Sequence, residues 1–242
     1  MKKLMIMTVV ACAAVAVQAA EVSVGVDFAS AYVFRGTTFN DGAVMQPYAE
    51  ISGFPIPEEA GSLAIGTWAN YDIDSYDGAL EEGEFSEIDY YLSYSLPVSA
   101  MDLSIGYCEY TYPSGGGDAD RELSVSVGNS LGDTALYAGF TGNYLIGGGG
   151  SWYLNPALEY GMDVSDALSA SAGVSVGYVI ADDGGEDGFN DATFSLGASY
   201  ALSESWALNG SVAYVAQLDD DVLTDTAHDV DVFGMIGIST DF

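Results

Sequence analysis

Beyond its first nineteen residues the chain carries 36 acidic side chains against two arginines, Arg35 and Arg121, and its only histidine is His228. Carboxylates in such excess can serve as general acids or bases, ligate hard cations, or set up a field that draws cations and repels anions. Catalysis is poorly supplied. Lipases and acyl-modifying enzymes commonly rest on a histidine base, and His228 falls in a predicted loop beside Asp229, where an exposed, incidental ring is expected. A hydrolase is therefore the weakest reading, and no catalytic residue is assigned. The clusters Asp219-Asp220-Asp221 and Asp182-Asp183-Gly184-Gly185-Glu186-Asp187 could attract Ca²⁺, but neither has EF-hand spacing. Solvated acidic loops are expected there, with no metal and no cofactor. The shortage of cations excludes nucleic acid as a partner, because that affinity comes from neutralising phosphates. What remains for the carboxylates is a field.

The elements that must position them are strands. Val22, Val24, Val26, Phe28, Tyr32 and Phe34 alternate with small or polar residues, and the same period of two recurs through Leu168–Tyr178, Trp206–Tyr214 and Val230–Phe242. No mature segment has a convincing helical period, and no apolar run beyond the N-terminus is long enough to span a membrane as a helix. The spacing predicts strands at 21–35, 44–54, 62–73, 85–96, 101–112, 121–130, 134–145, 151–161, 167–180, 191–202, 205–217 and 229–242. The count is an even twelve, as bacterial single-chain barrels have. Connections alternate between long and short, as in outer-membrane barrels. The exception is the stretch from Pro55 to Gly61, where two prolines break the ladder.

Parity then sorts the side chains. Asp27, Glu50, Asp72, Glu87, Asp89, Glu122, Glu159 and Asp231 fall on one face among Ser, Gly, Ala, Asn and Thr, and must turn from lipid into a lumen. Arg35 shares that face at the outer end of the first strand, where it is expected to pair with carboxylates, pinning a loop or forming a constriction. Trp68, Tyr91, Tyr110 and Phe233 also point inward and could fill a narrow lumen. On the opposite face, aromatics gather at two heights: Tyr32, Phe34 and Trp152 near one rim, Tyr160 and Trp206 near the other, and Tyr214 back at the first. Eight residues separate Trp206 from Tyr214 and Trp152 from Tyr160. That spacing spans about 20 Å vertically in a tilted strand, close to the apolar band of roughly 25 Å. Glu109 and Arg121 have outward parity but lie beside a loop, where the penalty fades.

The two ends fit the same picture. Lys2 and Lys3, an apolar stretch over 4–17 and the small–x–small run Val17-Gln18-Ala19 read as an export signal, giving a signal peptide over 1–19 and a barrel over 20–242. A competing lipoprotein reading would acylate Cys12, but the apolar core before it is short. Cys108 is then the only mature cysteine, so no intramolecular disulfide can form. Phe242 closes the last alternating strand with a terminal aromatic of the kind read by the barrel-assembly machinery.

The run SAYVFRG at 30–36, followed by TTFNDGAVMQPYAE, resembles the N-terminal motif of the TorF-like family of outer-membrane porins, and GTWANYD at 66–72 is similar to that family's third-strand segment. Tyr32, Phe34, Arg35 and Gly36 correspond to the motif. The resemblance implies an outer-membrane barrel of porin type and names no solute.

The expectation is therefore an all-β, twelve-stranded, antiparallel up-and-down transmembrane β-barrel in the outer membrane of a Gram-negative-type bacterium. Its partners would be outer-membrane lipids, the assembly machinery and small solutes or cations, with the oligomeric state left open. An acidic lumen implies a cation-preferring diffusion channel. The alternatives are a non-conducting barrel with a structural, adhesive or Ca²⁺-binding surface, and a soluble β-sandwich.

Overall fold

The computed structural model describes residues 20–76, 80–115, 117–146, 150–182 and 184–242. The expected signal peptide over 1–19, Cys12 and Asp183 lie outside the described residues. Fourteen strands follow in order: β1 (Glu21–Ala29), β2 (Tyr32–Phe34), β3 (Thr37–Asn40), β4 (Val44–Ser52), β5 (Ser62–Asp72), β6 (Phe85–Leu96), β7 (Asp102–Thr111), β8 (Asp120–Ser130), β9 (Leu136–Leu145), β10 (Ser151–Asp163), β11 (Leu168–Ala181), β12 (Gly188–Ala201), β13 (Trp206–Gln217) and β14 (Val232–Asp241). The only helical turn among the described residues is Glu58–Ala60, in the long connection after the prolines. Twelve of the strands form a closed antiparallel barrel in which each pairs with its chain neighbours, and β1 pairs with both β4 and β14 to close the ring.

The wall is inside-out relative to a water-soluble protein. Leu196, Ile236, Phe194 and Val212 are exposed on the exterior, whereas the most deeply buried side chains include Asn40, Asn70, Asp72, Asp191 and Thr240. A soluble sandwich would bury the first set and hydrate the second. Closure leaves no unpaired sheet edge, which is what a strand structure needs in hydrocarbon. With long connections at one end and, apart from the β4–β5 connection, tight turns at the other, this is the architecture of an outer-membrane barrel, and the outer membrane is where such a barrel resides.

Eleven of the twelve expected strands match one wall strand to within three residues at either end. The first does not. The expectation of one strand over 21–35 is corrected: β1 leaves the wall after Ala29, which is still paired with Val44 on one side and Met235 on the other. The chain then turns inward and folds back on itself as the separate β2–β3 hairpin. Its tip is a two-residue turn in which Arg35 (φ 51) and Gly36 (φ 81) both adopt positive φ, the geometry of a type I′ hairpin turn. For Arg35 that conformation costs about 1–2 kcal/mol, so other contacts must hold it.

Inward-facing tyrosines lie flat against the wall over glycines of the neighbouring strand. An added Cβ at Gly66 would collide with the Tyr91 ring, and one at Gly177 with Tyr153. The rings thereby cover gaps in the wall, and the glycines are required for close approach.

Candidate functional site

The hairpin crosses the barrel interior. It leaves the wall between β1 and β4, yet its tip reaches β8 and β10, each five strands from β1 around a ring of twelve, in opposite directions. Arg35 explains the reach. Its guanidinium forms a two-pronged bond to Glu122 on β8, with Nη1–Oε2 at 2.7 Å and Nη2–Oε1 at 2.8 Å. The flat group lies 4.6 Å from the Phe34 ring centroid on one side and 4.6 Å from Tyr153 on the other. Asn143 on β9, its amide turned to satisfy both neighbours, donates to Glu122 (3.2 Å) and accepts from Arg35 (3.2 Å). Such a planar, charge-assisted pair between aromatic faces is a task for arginine that lysine could not repeat.

The rest of the tip is equally constrained. The Asn190 amide donates to the Arg35 carbonyl (2.7 Å) and to Asp191 (3.0 Å), and Tyr153 also donates to Asp191 (2.8 Å). A Cβ on Gly36 would strike Leu223 and Asp191. The loop before β14 folds over the hairpin: Thr38 N–H donates to the Ala227 carbonyl at 2.8 Å, and the Thr38 hydroxyl accepts from Asp229 and Val230 N–H, each at 3.0 Å. His228 joins this clamp. Its ring is 7% exposed, with Nδ1 2.7 Å from the Gly36 carbonyl and Nε2 3.0 Å from Asp231. The expectation of an exposed, incidental histidine is corrected: the ring is packed against the hairpin tip.

At its base the hairpin joins a buried polar network. Asn40 donates to Asp72 (2.7 Å), Asn70 donates to the same carboxylate oxygen (3.0 Å), and Gln46 donates to Asn70 (3.0 Å). Tyr32 donates to Glu87 (2.8 Å) and packs 5.4 Å from Trp68 and 5.1 Å from Phe39. Asp72 Oδ2 and Asp89 Oδ1 are buried with no hydrogen-bond partner.

Among the acidic residues selected by parity, Asp27, Asp72, Glu87, Asp89 and Glu122 are buried on the inner face, and Glu50 accepts from Tyr91 at 3.2 Å. Glu159 is half-buried on β10, between exposed Leu158 and Tyr160. Asp231 is a correction. It precedes β14, its carbonyl accepting from Val215 N–H of β13 at 2.7 Å, while its side chain is 66% exposed and paired with His228 rather than buried on the inner face. Tyr32 and Phe34 are corrections too. The chain has left the wall before reaching them, so Tyr32 is 7% exposed against Glu87, and Phe34 packs on Tyr110 and Arg35 inside the barrel. Trp152, Tyr160, Trp206 and Tyr214 are exposed on the exterior, and Phe242 hydrogen-bonds Val22 across the seam. Glu109 and Arg121, opposite one another on β7 and β8, form an exposed ion pair at 3.1 Å. Asp219, Asp220 and Asp221 bring carboxylate oxygens within 4.8 Å of one another on an exposed loop.

The sequence reading missed the hairpin, the clamp of residues 224–231 and the polar network. Only the Arg35-Gly36 pair could have signalled a turn, and arginine is not a usual residue there.

The fold is shared with solved outer-membrane structures. The chain is similar to the COG4313 outer membrane channel from Pseudomonas putida F1, at 10% identity and a TM-score of 0.59, covering 95% of this chain and 97% of that one. It is also similar to the KdgM porin solved in complex with disordered oligogalacturonate (10% identity, TM-score 0.53, 92% and 99% covered) and to the NanC porin (9%, 0.52, 92% and 99%). At such identities the likeness concerns the fold alone. No curated protein matches the chain. A family model matches residues 13–235, nearly the whole chain, and the chain belongs to that family, described as "Bacterial protein of unknown function (Gcw_chp)".

Proposed function

We propose that this chain is an outer-membrane channel of porin type, passing small solutes and favouring cations over anions. The observation that carries the reading is the charge inside the barrel. Asp27, Glu50, Asp72, Glu87, Asp89 and Glu122 line the inner face, and the one arginine that reaches it, Arg35, is already bound to Glu122. A low-dielectric wall lined by carboxylates raises the local cation concentration. The β2–β3 hairpin is the constriction, and Arg35 fixes it rather than facing the solute. The SAYVFRG segment that suggested the TorF-like porins forms the start of this hairpin, which supports a porin role for the motif. Export by residues 1–19, insertion by the barrel-assembly machinery through Phe242, and an interface girdle of Trp152, Tyr160, Trp206 and Tyr214 belong to the same proposal. No enzymatic role is proposed.

In planar bilayers under a KCl gradient, the refolded protein should give a reversal potential of the sign for cation preference. Anion preference would overturn the reading. A second reading is favoured by the firm anchoring of the hairpin at both ends: a barrel that stays closed and serves as a surface structure. That reading requires conductance to appear only when the hairpin is removed.

A further inference from the structure

On the loop side of the hairpin lies a cavity of about 210 Å³, whose lining includes Tyr32, Phe39, Tyr112, Leu80, Ser86 and Glu87. Tyr32 and Phe39 are stacked at 5.1 Å, 26° from parallel, and both border the cavity. Tyr112 is fixed by donating to Asp120 at 3.0 Å. Glu87 is buried and accepts a hydrogen bond from the Tyr32 hydroxyl. Two residues further along β6 lies Asp89, a second buried acidic side chain that shares a hydrogen bond with Glu87 and keeps one oxygen without a partner. Among the described residues neither arginine offsets this charge: Arg35 is committed to Glu122 and Arg121 to Glu109. Buried carboxylates require a counter-charge or hydrogen bonds, and aromatic faces attract a cation that carries apolar groups.

We propose that this cavity binds a small organic ammonium ion, its apolar groups against Tyr32, Phe39 and Tyr112 and its charge toward Glu87. The inference deepens the cation-channel reading and rests on it. An aromatic wall beside a carboxylate would also suit a sugar, but with both arginines of the described residues paired elsewhere a charged ligand is favoured. The cavity leaves room for only a few heavy atoms beyond the charged centre, so the class is one of compact alkylammonium compounds. Placed at the loop end beside the hairpin, a bound ammonium ion would stand at the entrance to the narrowed lumen.

The test uses choline and its uncharged carbon isostere, 3,3-dimethylbutan-1-ol, titrated into the full refolded chain in detergent. Binding is followed by calorimetry and by tryptophan fluorescence, since Trp68 lies 5.4 Å from Tyr32. Choline should bind saturably and the isostere about tenfold or more weakly, because only the charged ligand gains the cation–π and carboxylate attraction. Glu87→Gln should lower choline affinity by about tenfold, and Phe39→Leu by several-fold. Heat-modifiable gel migration should be unchanged in both, which separates a lost site from a lost fold. Equal binding of both compounds, tighter binding of a neutral disaccharide, or no saturable binding of choline would each overturn the site. Choline binding without bilayer conductance would retain the site and remove the channel. Cation-selective conductance without choline binding would do the reverse.

Discussion

The barrel wall and the β2–β3 hairpin are both antiparallel ladders, yet different forces hold them. Each wall strand is paired along its length on two sides, and the outward side chains need only be apolar enough for lipid. The wall is therefore tolerant, because pairing is shared among many residues. The hairpin has seven residues in strands and no neighbour in the sheet. It is held by single, specific contacts: Arg35 to Glu122, Asn40 to Asp72, Tyr32 to Glu87, and His228 to the Gly36 carbonyl. A structure of the first kind loses stability by degrees. One of the second kind can be released by one substitution while the wall stays closed.

The sharpest way to break that contrast is at the Arg35–Glu122 pair. Arg35→Ala leaves Glu122 buried without its partner, which should destabilise hairpin docking by about 3–5 kcal/mol. Amide exchange over 32–40 should rise while heat-modifiable migration is retained. Loss of the folded band would show instead that the hairpin supports the wall. Replacing both partners, with Arg35→Met and Glu122→Leu, should restore most of the protection, since two apolar groups leave no orphaned charge.

Gly36→Ala comes next. The methyl group meets Leu223 and Asp191 and the residue must hold φ 81, so the tip should be displaced at a cost of about 1–3 kcal/mol. Limited proteolysis in the 30–43 segment would detect it. In the wall, Gly66→Ala pushes Tyr91 off its seat, an overpacking cost of about 1–3 kcal/mol shared by two paired strands. It should lower the temperature at which the folded band disappears, without raising hairpin exchange. At the bottom of the range, Arg121→Ala removes an exposed ion pair with Glu109. It should change neither the gel transition nor the reversal potential measurably.

The same division decided what was legible in the sequence. Wall strands could be read because alternation is imposed by lipid on one side and by the lumen on the other, and both constraints are local. The period resumed at Tyr32 and Phe34 in the same parity, so the single polar Ser30 was the only mark in the pattern that the chain had left the wall after Ala29. The hairpin answers to residues far away in the chain. Glu122 lies 87 positions from Arg35 and His228 lies 192 from Gly36, and no local period encodes such partners. For that reason two aromatics read as a lipid girdle pack inside, and a histidine read as incidental is clamped to the hairpin tip. The inner-facing carboxylates were visible because their parity is a property of the wall. Asp231 differs because it stands at the rim, where its side chain turns to His228 and solvent.

The most direct measurement is single-channel recording, under one KCl gradient, of the wild-type barrel beside a variant in which a short turn joins Ala29 to Val44 in place of the hairpin. A constriction built into an acidic lumen predicts cation preference in both and a larger conductance in the variant. Equal conductances, or anion preference in either protein, would contradict it.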